Sequence, residues 1–92
     1  MKVTINGKRY DSKKCEVLGE KDYYHNGNYS GTCKLLRASN GTLLEFNETN
    51  GQDLYYRDSF ILFSESSMTV DDFNYTDDQE KRLVELGLIE IV

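Results

Sequence analysis

The sequence predicts an α+β domain: a single twisted antiparallel β-sheet, laid out as a hairpin meander, with a short N-terminal helix and one C-terminal helix packed on it. Three observations predict it. Asn-Gly turn signals cut the first two thirds of the chain into alternating β-branched and aromatic runs. Near the C-terminus, over 76–87, a capping box and a terminal glycine bracket an amphipathic stretch. Finally, 92 residues with 38% hydrophobic content, seven Tyr and four Phe suffice for one core, so residues 1–92 read as a single compact domain.

The elements follow in order. Lys2 to Ile5 alternates polar and β-branched residues, Asn6-Gly7 supplies the positive-φ pair of a type I′ turn, and Lys8 to Tyr10 returns as a tight hairpin. Asp11 or Ser12 can cap a helix of about two turns in which Cys15 and Leu18 share a face, with Gly19 at its left-handed end. Glu20 to His25 and Tyr29 to Ala38 form a second hairpin about Asn26-Gly27-Asn28, and Asn40-Gly41 leads into Thr42 to Asn47. Glu48 to Asp53 reads as a polar loop. The apolar run Ser59 to Ser64 fits a central strand buried on both faces. Thr76 and Gln79 make the capping box, Asp77 and Asp78 suit the first turn, Lys81 and Arg82 follow, and Gly87 ends the helix. Leu83 and Leu86, with Tyr75 before the cap, should face the sheet, and Leu88 to Val92 should form a last strand. The expected core includes Leu36, Leu44, Phe60, Leu62 and Leu83.

Charge is distributed unevenly. The formal net charge is -5, yet Met1 to Arg37 carries eight bases against four acids, while Ala38 to Val92 carries three bases against twelve acids. The acids peak at Asp71, Asp72, Asp77, Asp78 and Glu80, interleaved with Phe73 and Tyr75. Blocks of this kind are either solvated faces or docking surfaces for something basic.

Catalytic and metal signatures are missing from this pattern. The single histidine, His25, sits in a predicted turn, so no nucleophile, base and orienting group are brought together. The paired acids lack the spacing of a calcium loop, and the seven glycines form no phosphate-binding motif. The chain therefore reads as a non-enzymatic protein with no catalytic residues, no metal and no cofactor. Lys8, Arg9, Lys13 and Lys14, with Tyr10 available for stacking, form a patch that could meet nucleic acid, but an acidic domain repels phosphates, and no direct nucleic-acid binding is expected. Cys15 and Cys33 are spaced for neither zinc nor a redox pair, so both should stay reduced and dispensable. No apolar run approaches the ~20 residues that span a bilayer, and the N-terminus lacks an apolar leader segment. The expected setting is the cytoplasm, with no membrane partner. In that setting the N-x-S/T triplets at Asn28, Asn40, Asn47 and Asn74 are turn signals. Tyr23-Tyr24 and Tyr55-Tyr56 are strand neighbours that point to opposite faces, so one of each pair should be exposed, as tyrosines at protein-binding hot spots are.

The run Ile5-Asn6-Gly7-Lys8-Arg9-Tyr10-Asp11, then Leu18-Gly19, Leu35-Leu36-Arg37, Asn40-Gly41 and Leu43-Leu44 with Phe46, resembles the opening of small proteins carried by phages and mobile elements of low-GC Gram-positive bacteria. Some of these look like anti-CRISPRs or other inhibitors of host defence. The resemblance covers the first half of the chain and carries no active site with it. It implies an inhibitor acting in a host bacterial cell, as a monomer or small homo-oligomer. The expected partner is a protein with a basic nucleic-acid-binding surface, a Cas effector such as Cas9 or a Cascade subunit. Carboxylates would replace phosphates on its DNA channel, for instance where it reads a protospacer-adjacent motif. The expected contact residues are Asp71, Asp72, Asp77, Asp78 and Glu80, with Phe73 and Tyr75 as anchors and Glu48 and Asp53 on the adjoining loop. The alternative is a sponge for a signalling nucleotide, built on Lys8, Arg9 and tyrosine stacking.

Overall fold

A computed structural model describes residues 1–51 and 58–92. Asp53 and Tyr55-Tyr56 lie outside the described residues. Among the described residues there are six strands, β1 (Lys2–Ile5), β2 (Lys8–Asp11), β3 (Glu16–His25), β4 (Asn28–Arg37), β5 (Leu43–Thr49) and β6 (Ser59–Leu62), followed by one α-helix, α1 (Asp77–Glu85). The architecture is α+β with two antiparallel sheets rather than one. Strands β1 and β2 form a hairpin of their own, and β3-β4-β5-β6 form a four-stranded sheet in that order.

Strand alternation gives the larger sheet two apolar faces. One face presents Leu36, Leu44, Phe46 and Phe60, on which Tyr10 of the hairpin packs with Val3 and Ile5. The other presents Leu18, Cys33 and Leu35, covered by Phe73, Leu83 and the segment around them. The chain is thus three layers: hairpin, sheet, and a C-terminal layer carrying α1. Leu36, Leu44, Phe60 and Leu83 are buried as expected, whereas Leu62 is half-buried at the margin of the hairpin-side cluster. Cys15 and Cys33 are free thiols packed on opposite faces of the sheet.

The turns behave as their sequences dictate. Asn6-Gly7 and Asn26-Gly27 both take positive φ, with Asn6 at 52° and Asn26 at 51°, which closes two-residue hairpins. At α1 the Thr76 hydroxyl accepts from the Gln79 amide at 3.2 Å, while the Gln79 side chain accepts from the Thr76 amide at 2.9 Å. The helix ends at Gly87, whose φ is 72°. There the Leu88 amide donates to the Leu83 carbonyl and the Gly87 amide to the Val84 carbonyl, a Schellman pair.

Three expected elements differ. The N-terminal helix shrinks to one 3-10 turn at Ser12–Lys14, because Asp11 caps only the Lys13 amide before Glu16 and Val17 pair with Arg37 and Leu36. Gly19 lies inside β3, just past a bulge that turns Leu18 into the core. A methyl group at Gly19 would overlap the Tyr75 ring, so a close packing contact, not a left-handed φ, is what glycine permits there. Strand β6 is an edge strand, not a central one, and the chain leaves it at Phe63 in a 3-10 turn. The last expected strand is not formed: Leu88 and Ile89 instead pack as irregular chain beside α1.

Burial makes the fold sensitive to base. The Cys33 thiol is pushed from 9.0 up to about 12, by burial first and then by the neighbouring Glu45 carboxylate. Burial, and then Cys33, pushes Tyr23 from 10.0 to about 12. Tyr75 moves from 10.0 to about 12 through burial and Asp71. All three hold their protons longer in the folded chain than in the unfolded one, so this stability is fully present below pH 9.0 and is lost as pH rises toward about 12. The melting temperature is expected to fall steadily across that interval. A flat profile in differential scanning calorimetry would contradict the burial of these groups.

Candidate functional site

The acidic stretch is laid out by backbone anchors on the C-terminal layer. Asp71 and Asp72 lie in a 3-10 turn, Val70–Asp72, where the Thr69 amide and hydroxyl donate to Asp72 Oδ2 at 2.7 and 3.3 Å. Phe73 then plunges into the core, and Asn74 pairs with the outer edge of β3 through both of its backbone groups, its amide donating to the Glu20 carbonyl at 2.8 Å. The Tyr75 ring lies against Gly19, and its hydroxyl donates to the Val70 carbonyl. Asp77, Asp78 and Glu80 open α1 and are exposed, favourably placed at the positive end of the helix dipole. The helix is tied to the sheet by Leu83 and by Arg82, which grips both oxygens of Glu16 at 2.8 and 3.2 Å and also reaches Glu85 at 3.1 Å.

Asp71, Asp72, Asp77, Asp78 and Glu80 are thereby brought onto one layer, all exposed. Phe73 is not an anchor for a partner: it is 5% exposed, packed against Phe63 with ring centroids 6.1 Å apart. Tyr75 is half-buried and hydrogen-bonded inward, so it too belongs to the packing of this layer. Glu48 lies elsewhere, on β5, paired with Lys34 at 3.6 Å, and both line a hollow beside Lys13 on the hairpin side of the sheet.

Two acids from the half of the chain with a basic balance join the rim of the acidic layer. Glu20 and Asp22, on the outer strand β3, line a shallow depression of about 450 Å³ together with Asn74, Tyr75, Thr76 and Gln79. Their alternation along the edge strand that receives Asn74 was the available sequence signal, but the pairing that places them there is tertiary. Sequence reasoning also passed over Glu45. This residue is 5% exposed, in the apolar run of β5, where its Oε1 accepts from the Ser66 hydroxyl at 2.8 Å and the Cys33 thiol at 3.5 Å. It fastens the segment leaving β6 to the sheet, and it sits beside a thiol that is kept protonated.

The charge asymmetry now has a geometry. Residues 1–14 of the hairpin layer carry five bases and one acid, and residues 63–92 of the C-terminal layer carry eight acids and two bases, on opposite faces of the sheet. Lys8, Arg9, Lys13 and Lys14 are exposed, but Tyr10 is not available for stacking. It is 8% exposed, its ring in the core and its oxygen 3.3 Å from both the Thr42 hydroxyl and the Asn40 amide nitrogen.

Among the described residues, no three His, Cys, Asp or Glu side chains converge to hold a metal ion, and no helix is long and apolar enough to cross a membrane. Comparison with protein-family models, curated proteins and solved structures yields no match to this chain.

Proposed function

We propose that this chain is a non-enzymatic inhibitor that docks its acidic layer onto a basic, nucleic-acid-binding surface of a partner protein in a bacterial host cell, as an anti-CRISPR does on a Cas effector. The observation that carries the reading is the sorting of charge onto opposite layers. A bipolar molecule is oriented as it approaches a positive channel, acids first and basic hairpin outward, and complementary charge of this kind raises the rate of encounter. The Asn74 anchor on β3 and the fold of α1 set the backbone that carries the exposed carboxylates before binding, so little backbone ordering remains to be done at the interface. Tyr10, the tyrosine beside Lys8 and Arg9, is not free to stack on a nucleotide, since its ring is in the core.

The test is competition. With a Cas effector loaded with guide RNA and a labelled duplex bearing its target, the protein should displace the duplex in proportion to its concentration, and the effect should weaken steeply as salt rises past the ionic strength at which the Debye length is about 8 Å. Binding that leaves the duplex in place, or that is indifferent to salt, would remove the mimicry reading.

A further inference from the structure

The far end of the β3-β4 hairpin carries a second, separate feature. Tyr24 and Tyr29 are 63% and 46% exposed, and their rings meet edge to face with centroids 6.1 Å apart and planes at 70°. The hairpin tip is held from three sides. Asn26 and Gly27 close it in two residues. The Asn50 side chain donates to the Tyr29 carbonyl, and its amide donates to the Ser30 carbonyl at 2.9 Å. The hydroxyl of Tyr29 lies 2.5 Å from that of Thr32, which donates to Asp22 Oδ1 at 2.7 Å. Since the Thr32 proton goes to Asp22, the Tyr29 proton goes to Thr32, and the relay ends on an exposed carboxylate. Tyrosine is enriched among the residues that anchor protein interfaces.

We propose that this tip is a receptor for an arginine side chain of a protein partner. A guanidinium is flat enough to stack on an exposed tyrosine ring while its edge donates to a carboxylate, which a lysine ammonium does less well. Asp22 supplies that carboxylate, and Glu20, two residues back on β3, adds negative charge on the same side of the strand. The same charges argue against a nucleic acid stacking there, because its phosphates would be repelled. Pre-ordering of both rings lowers the entropy lost when the guanidinium docks. The site shares Asp22 and Glu20 with the rim of the acidic layer but uses none of Asp71, Asp77, Asp78 and Glu80, so its failure would leave the proposed function standing.

The probe is a capped glycine-arginine-glycine tripeptide, titrated into the full chain and followed by NMR, with the citrulline and lysine tripeptides as controls. The arginine peptide should perturb Tyr24, Tyr29 and Asp22 saturably, its side-chain protons moving upfield over the rings. Citrulline should do nothing, and lysine should bind more weakly. Tyr24→Ala and Tyr29→Ala should each weaken binding roughly two- to fivefold, while Tyr24→Phe should retain it. Asp22→Asn should weaken it with the fold intact, as an unchanged amide spectrum away from the tip would show. Equal perturbation by citrulline, or shifts confined to Asp71, Asp77, Asp78 and Glu80, would overturn the arginine site. Loss of duplex competition by the whole protein would instead bear only on the acidic layer.

Discussion

Replacing Leu83 with alanine is expected to remove about 2 to 5 kcal/mol of stability. Leu83 is 0% exposed and packs in one cluster with Leu18, Cys33, Leu35 and Phe73, so its side chain is what joins α1 to β3 and β4. A domain of this length has a margin of about 5 to 15 kcal/mol, and its melting temperature falls by about 4 to 8 °C for each kcal/mol lost. The substitution should therefore lower the melting temperature by roughly 10 °C or more. Val84→Ala, one residue along on the solvent side and 39% exposed, is the control and should move it little. Hydrogen exchange should locate the damage, with amides of α1 losing protection before those of β4. An unchanged melting temperature for Leu83→Ala would mean that α1 does not dock on the sheet through this side chain.

What could be read from the sequence was what is local. The two Asn-Gly hairpins and the capping box of α1 are set by side chains within a few residues of the backbone groups they satisfy, and each appears where its signal lies. The misread elements are those in which a distant partner outweighs a local preference. Asp11 and Gly19 bracket a segment as helix signals do, yet Val17 pairs across to Leu36, and Gly19 is needed for the ring of Tyr75, far along the chain. The apolar run at Phe60 reads as a central strand because both of its faces are apolar. One face finds cover from the hairpin through Phe60 and Leu62, whereas Ile61 on the other face is half-buried and joins neither cluster, and among the described residues β6 has no second neighbouring strand. The acidic layer was legible as charge, whereas Phe73, named there as an anchor, was not legible as core. Its neighbours are all polar, and only the Asn74 pairing with β3 turns it inward.

Reversing the acids of the C-terminal layer is expected to abolish partner binding, and the structure decides which acids to reverse. Asp72 should be left alone, because it receives the amide and hydroxyl of Thr69, and losing a cap of this kind costs about 0.5 to 2 kcal/mol. Asp71, Asp77, Asp78 and Glu80 carry no such duty. Lysines at the start of α1 oppose the helix dipole at about 0.3 to 1 kcal/mol each, a loss that Leu83, the Glu16–Arg82 pair and the Thr76–Gln79 box leave bearable. Neutralising these four to Asn and Gln should weaken binding by roughly tenfold, and reversing them to Lys by about a hundredfold or more, since reversal adds like-charge repulsion to the lost attraction. Both variants should melt cooperatively, the neutralised one close to the parent and the reversed one lower by roughly 5 to 20 °C, because three lysines in the first turn of α1 cost about 1 to 3 kcal/mol. The basic layer is the control: changing Lys8, Arg9, Lys13 and Lys14 to Gln should leave binding to a basic channel unchanged or slightly stronger. Loss of binding from the basic set with retention in the acidic set, measured by titration calorimetry at one salt concentration, would reverse the assignment of the two faces and place the interface on the hairpin.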